Sequence, residues 1–410
     1  MIRPIRRFDK FMDNFYLQEL IQETNSRGGG LLLNFQDKPA VVVLSIDRYN
    51  KIISNIKLQM SNMQNTATLA YGQDTAVLTM PRPTKSIIKQ KVLVTGGAGY
   101  IGGHLVRELI KAGYDVVVLD NLSTDRRDNI DPKAVFVEGD LADENLLKDI
   151  FANNNFEAVF HMAASLEVEE SVKEPAKYLE NNLANTVKLL NAMNEAGVKK
   201  IIFSSTAAVY GEPEQIPVKE TAHLRPNNPY GASKLLAERA IKYFCENLGF
   251  RAVVFRYFNA CGFDITARIL PTHQSHLIYK VMQVAKGAVP FLQVFGNDYP
   301  TSDGTCVRDY VHVLDIVLPH ILALRKMEQF EKFEIFNIGT GRGSSVAEVV
   351  NCASENIGKI IPMEVGPRRP GDAPTTVADN TKLLNELGYQ LKYSSLENML
   401  VTSWEVIKEV

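Results

Sequence analysis

From residue 91 onward, apolar residues fall into short, β-branched runs separated by longer stretches of helical spacing. Val92, Leu93 and Val94 make the first run, residues 104–112 carry apolar positions three and four apart, and residues 116–119 make a second run. Residues 134–137, 157–161 and 200–204 continue the series, with a helix predicted over 175–196. Strands alternating with helices imply right-handed crossovers and a parallel sheet, with ligand bound across its carboxyl edge. The predicted fold class is α/β, a Rossmann-type doubly wound parallel sheet.

Residues 1–90 follow another rhythm. Residues 15–21 and 46–56 have helical spacing, while 31–33 and 40–44 are strand-like around a turn at Asp37-Lys38. From residue 58 to 90 the chain turns to Gln, Asn, Thr, Met and Pro with little periodicity. This predicts a small α+β module over 1–57 and a linker over 58–90. Charge changes at the same place: residues 1–90 hold twelve Lys and Arg against seven Asp and Glu, and the rest hold 33 against 40.

The whole chain of 410 residues carries a net charge of −2, so nothing global points to a nucleic-acid or membrane partner. No apolar run reaches the length of a membrane span, no signal peptide is evident, and a cytoplasmic protein is expected. Cys245, Cys261, Cys306 and Cys352 are scattered and the histidines lack ligand spacing, which predicts reduced thiols and no metal.

Candidate chemistry begins at the turn after the first strand. Gly96, Gly99 and Gly102 stand at G-x-x-G-x-x-G spacing before a helix. Glycines there let backbone approach a pyrophosphate, whose charge the amides and dipole of the helix start would meet. Asp120 ends the second strand, where a carboxylate accepts both ribose hydroxyls and repels a 2′-phosphate, favouring NAD over NADP. Asp140, in Gly139-Asp140-Leu141 after the third strand, is either an acceptor for the adenine amino group or an exposed turn aspartate. Ala163 and Ala164 end the fourth strand with side chains small enough for the cofactor to pass.

Ser204-Ser205-Thr206 closes the central strand, and Tyr230 and Lys234 lie four apart on one helix face after Pro226 and Pro229. A tyrosine base at neutral pH needs its pKa lowered by about three units, or roughly 4 kcal/mol. A neighbouring ammonium and the nicotinamide cation would supply it.

With these pieces in place, residues 91–410 resemble the extended short-chain dehydrogenase/reductases, and among them the UDP-glucose 4-epimerases. The matching segments include VTGGAGYIGGHLV, VLDNLST, FSSTAAVYG, NPYGASKL, FRYFNACG, VFGNDYPTSDGTCVRDYVHV and PRRPGDAPTTVAD. The resemblance implies an NAD-binding domain over 91–265, with some later segments returned to it, and a smaller C-terminal α/β domain for the UDP-sugar over 266–410. It implies Tyr230 as base, Lys234 as the residue that lowers its pKa and holds the nicotinamide ribose, and Thr206 as the hydroxyl bonding the sugar O4. Tyr100, Ile101, Asn121 and Leu141 join the cofactor set. Asn259, Leu277, Phe295, Arg308, Arg369 and Asp372 would hold the UDP portion, with Phe295 against uracil. Arg forks suit phosphate oxygens and Asp372 suits ribose hydroxyls. An internal ion pair is the competing reading for Asp309. The implied reaction oxidises C4 transiently, turns the 4-keto sugar over and reduces its other face, inverting the centre. The family also suggests a homodimer built on two long helices, one after Pro175 and one containing Tyr230.

Several positions depart from the family pattern: Gly103 for Ser, Leu166 for Lys in some members, and Tyr279-Lys280 for a Pro-containing segment. Ala207 and Ala208 stand where 4,6-dehydratases carry Asp-Glu, which disfavours dehydration. Thr376 replaces a bulky Tyr and would leave room for a 2-acetamido group, so N-acetylated UDP-sugars join the expected substrates. A UDP-glucuronate 4-epimerase shares much of this site and remains an alternative. Residues 1–57 resemble the N-terminal fold of the Phd/YefM antitoxins through Pro39, Ala40, Ser45, Tyr49 and Ile52. That resemblance leaves open a DNA-binding or toxin-neutralising regulator with the enzyme part as sensor.

Overall fold

The computed structural model describes residues 33–35, 38–40, 68–71, 76–79, 90–267, 269, 276–369 and 372–409. The chain divides into two compact units, residues 1–88 and 89–410. In the first, Leu33–Phe35 pairs antiparallel with Lys38–Ala40 and parallel with Ala76–Thr79, which in turn pairs antiparallel with Thr68–Tyr71. Lys38, expected in a turn, faces Phe35 across the first of these pairs. The stretch expected to be a linker supplies two of the four strands. Each is a four-residue run, too short for a periodic signal, and its pairing depends on partners distant in sequence. Apart from its two short strands, the antitoxin-like segment lies outside the described residues.

The second unit is built on a seven-stranded sheet, parallel throughout. Its spatial order is Phe333–Ile338, Arg251–Tyr257, Lys200–Thr206, Phe156–His161, Lys91–Thr95, Asp115–Asp120 and Val135–Glu138. Strand order reverses between Lys91–Thr95 and Phe156–His161, and a crevice opens at such a switch point. Alternate residues of each strand face opposite cores: Val92 and Val94 pack with Leu105, Leu109, Phe255 and Val317, while Leu93 packs with Val159, Phe203 and Ile241. The inner strands are covered on both faces, which explains why their central residues read as apolar runs.

The helix expected over 104–112 begins earlier, at Tyr100, and runs to Lys111. Gly99 is its N-cap in extended backbone, so the helix starts on the glycine turn itself. Gly102 and Gly103 fall inside its first turns and interrupt the apolar pattern that marks a helix in sequence. The helix expected over 175–196 runs as Pro175–Leu179, a π turn at Glu180–Ala184, and Asn185–Glu195.

Later segments return to the sheet. Phe333–Ile338 forms its seventh strand, and the helix Val313–Lys326 shares a core with Tyr100–Lys111. A separate core joins the helices Leu277–Lys286, Val346–Ile357 and Leu396–Ile407. Around it, Asn259–Cys261 pairs with Tyr310–His312, and Val307–Arg308 lies between Ser344–Ser345 and Thr375–Thr376. That last pairing sets Arg308 directly beside Thr376, 68 positions away in sequence. No helix among the described residues is long and apolar enough to cross a membrane.

Candidate active site

A cleft of about 790 Å³ opens at the carboxyl edge of the sheet. Its floor is the glycine turn. A Cβ added at Gly102 would lie 2.0 Å from the carbonyl oxygen of Gly96, and one at Gly96, where φ is +70°, would lie 2.5 Å from Ala163 N. Turn, helix start and the end of strand Phe156–His161 therefore meet backbone to backbone, which only glycine allows. Gly96, Gly99, Tyr100, Ile101, Gly102, Ala163 and Ala164 all line the cleft. Gly103, a departure from the family pattern, is explained by packing: a Cβ there would press on Ile269 at 3.1 Å and Asn129 O at 3.2 Å.

Asp120 lies behind this turn. It is 7% exposed and accepts hydrogen bonds from Ala98 N and Leu122 N, both at 2.9 Å. Burial pushes its pKa up while these two bonds pull it down. The carboxylate thus braces the turn, and its remaining lone pairs are what it can offer a ribose. Asn121 donates to Asp140 at 2.6 Å, Asp140 also accepts from Ala142 N at 2.7 Å, and Leu141 is a core residue. These four lie outside the lining of the cleft.

The reactive groups come from the central strand and the helix Pro229–Leu248. Asn228 caps that helix by accepting from Gly231 N at 2.8 Å, and Pro229 starts it. A Cβ at Gly231 would lie 2.6 Å from Ala208 O, so glycine lets the helix start close against the turn that follows Thr206. Thr206, Tyr230 and Lys234 meet in the cleft as a result. Burial raises the Tyr230 pKa, and the Thr206 hydroxyl draws it down. The ring of Tyr178 holds the phenol edge-on, with centroids 6.4 Å apart.

Lys234 is 2% exposed, stands 4.3 Å over the Phe203 ring, and reaches Ser204 Oγ at 3.5 Å. Burial brings its pKa down to about 7, opposed by Glu238. The lysine expected to acidify the phenol thus itself titrates near neutral pH. Burial dominates both groups because neither has a strong ionic partner in the cleft.

Asn259, Leu277, Phe295, Arg308, Arg369, Asp372 and Thr376 form the opposite wall. Asp372 is held by both arginines, by Arg369 Nε at 3.0 Å and Arg308 Nη2 at 3.6 Å. The Arg369 guanidinium covers the Phe295 ring at 4.9 Å. These side chains satisfy one another: the arginines expected on phosphate hold the acid expected on ribose. Asp309 proves structural, although not through Arg308. It is fully buried and accepts from Thr340 N, Gly341 N, Ala378 N and Thr340 Oγ1 at 2.6–3.1 Å.

Sequence reasoning passed over Asn182. It sits in the π turn, 2% exposed, and bonds Ser165 N at 2.8 Å, Ser165 O at 2.9 Å and Ser233 Oγ at 3.0 Å. One amide thereby ties the segment that follows strand Phe156–His161 to the helix that carries Tyr230. A polar Asn181-Asn182 pair inside a helical pattern was the available signal. Tyr257, Asp125 and Cys306 also line the cleft and were not anticipated.

A model of the NAD dependent epimerase/dehydratase family matches residues 92–339. The chain is 45% identical to a UDP-glucose 4-epimerase of Lacticaseibacillus casei over 315 residues, 76% of this chain and 95% of that protein. The structure of the Brucella ovis UDP-glucose 4-epimerase in complex with NAD superposes with a TM-score of 0.75 at 40% identity, covering 78% of this chain and 98% of that one. The UDP-Glc/GlcNAc 4-epimerase of Campylobacter jejuni gives 0.69 at 39% identity, over 78% and 100%.

Proposed function

This chain belongs to the NAD dependent epimerase/dehydratase family, and we propose that it inverts the C4 hydroxyl of UDP-glucose and UDP-galactose, acting as an isomerase. The observation that carries the reading is the two-walled cleft. One wall presents Tyr230 and Thr206 beside a glycine turn, and the other presents Arg308, Arg369, Asp372 and Phe295.

The turn suits a dinucleotide: Gly96 and Gly102 let turn, strand end and helix start close backbone to backbone, and Gly99 caps the helix whose N-terminus faces the cleft. NAD held there would supply the hydride acceptor and donor for C4 and a cation near the phenol. The residues do the rest. Tyr230 Oη takes the proton from the sugar O4 and later gives it back, with Thr206 Oγ1 bonded alongside to fix the hydroxyl. Lys234 as ammonium stabilises the phenolate and holds a ribose hydroxyl. Arg308 and Arg369 leave Asp372 for the diphosphate, Asp372 turns to the uridine ribose, and Phe295 is uncovered for uracil. Tethering the nucleotide in this way lets the sugar turn over without leaving.

Thr376 lines the cleft beside Arg308, and its small side chain supports an acetamido substrate in this reading. Incubation with UDP-galactose and with UDP-N-acetylgalactosamine, separately and without added NAD, followed by product separation, tests reaction, sugar and cofactor retention. No product from the first would overturn the reading, and none from the second alone would remove the acetamido substrates.

The same reading includes a cytoplasmic homodimer. Leu179, Leu236 and Tyr243 expose apolar side chains along the two helices expected to pair, Tyr243 by 65%. Sedimentation at a single-chain mass would rule the dimer out.

A further inference from the structure

One helical turn beyond Lys234, on the same helix, Glu238 is 3% exposed and bound on both oxygens. Arg256 donates Nε to Oε1 at 3.0 Å and Nη2 to Oε2 at 2.7 Å, and Ser205 Oγ donates to the same Oε1. Arg256, 1% exposed, comes from the strand Arg251–Tyr257 beneath and donates Nη1 to Tyr210 Oη at 3.0 Å and Glu220 O at 3.1 Å. Burying such a pair is costly, and apolar side chains of similar volume would often serve stability as well. Stability is therefore a weak reason for its presence.

We infer that Glu238, fixed by Arg256, is a positioning residue that keeps Lys234 in its ammonium form and thereby sets the alkaline limit of turnover. The surroundings of Lys234 leave this role to Glu238. From the central strand it meets the Phe203 ring and the Ser204 hydroxyl, both neutral. His161, on the next strand, is fixed between the hydroxyls of Thr95 and Thr186 and kept neutral by burial. Tyr230 on its own helix and Tyr257 on the neighbouring strand are kept protonated by burial. Glu238, four positions on along the same helix face and buried like the lysine, is the anion that offsets the desolvation of Lys234. Arg256 approaches from the strand, so the bidentate pair places its anionic partner on the lysine's own helix.

The inference rests on Tyr230 as base, because the ammonium matters only by stabilising that phenolate. Removing the carboxylate lets Lys234 lose its proton at lower pH. The alkaline limb of the kcat profile should then move down by about one pH unit, and Tyr230 should ionise at correspondingly higher pH. The variant is Glu238→Gln/Arg256→Met, which removes both charges and keeps the volume. Two curves are read on the enzyme as purified with its NAD: kcat against pH, and tyrosinate absorbance against pH as the difference from Tyr230→Phe. Opposite shifts of the two curves support the inference. An equal loss of activity at every pH with both curves in place overturns it, leaving the pair structural. Should circular dichroism show the double variant unfolded, Glu238→Asp is read instead. It keeps the charge but withdraws it by one methylene, and is expected to move the same limb by a few tenths of a unit, no movement being contrary. Full turnover by Tyr230→Phe would instead remove the base, whatever Glu238 does.

Discussion

Arg369 Nη1 lies 3.9 Å from Glu169 Oε1 across the mouth of the cleft. The two come from elements far apart in sequence, and Arg369 is also held by Asp372 and lies over Phe295. Glu169 is 78% exposed, so the bridge is weak, at most about 1 kcal/mol. Replacing Glu169 with Gln frees the guanidinium for phosphate. The Michaelis constant for UDP-galactose should fall by up to about fivefold with kcat unchanged, and salt should erase the difference. Initial rates at low and high ionic strength measure both.

Arg308 and Asp309 are neighbours with opposite duties. Arg308→Ala should raise the Michaelis constant by about 10-fold or more while the melting temperature stays in place, since the side chain is half-buried at the cleft and holds little else. Asp309→Ala should do the reverse. It leaves three backbone amides and the Thr340 hydroxyl without their acceptor, a loss of about 3 kcal/mol or more, seen as a fall in melting temperature.

Tyr230→Phe removes the group that moves the O4 proton and leaves its ring against Tyr178. The expected loss in kcat is about 10²–10⁴-fold. Retention of bound NAD, measured by releasing it from denatured protein, should be unaffected.

Gly102→Ala places a methyl 2.0 Å from Gly96 O, where backbone must move. The purified variant should carry little dinucleotide, and a normal NAD content would contradict the part given to this turn.

Four imidazoles make folding sensitive to acid. Burial lowers the pKa of His104 and His312 to about 4 and of His161 and His320 to about 3. In the unfolded chain they titrate near 6.5, so between about pH 6.5 and 4 the unfolded state binds protons that the folded state refuses. Their full contribution is present above that window and declines as pH falls through it, by up to about 1.4 kcal/mol per pH unit for each. Urea midpoints should therefore drop between about pH 7 and about pH 5. Equal midpoints would show the histidines already charged in the fold.

The strands up to residue 206 were legible because each carries an apolar run, buried on both faces in the four inner ones. The strands Arg251–Tyr257 and Phe333–Ile338 were not anticipated, because Arg256, Glu334 and Asn337 interrupt their apolar runs. The boundaries erred where glycines or π geometry broke the pattern, at Tyr100 and within 175–195. The strands Thr68–Tyr71 and Ala76–Thr79 were not legible, because four residues carry no period and their pairing is a long-range fact. Most of the site was readable as motifs, and Asn182 was missed because its partners, Ser165 and Ser233, are distant in sequence.

By itself, then, the sequence determined the local parts: the glycine turn, the Tyr230-Lys234 spacing and the order of the strands, each of which follows from steric or periodic rules that act over a few residues. What only the tertiary structure decided is how those parts are charged and joined. Asp120 braces a turn, Arg308 and Arg369 share Asp372, and Lys234 titrates near neutral pH one helical turn from a buried carboxylate. Burial and long-range pairing set these properties, and neither is a function of neighbouring residues along the chain.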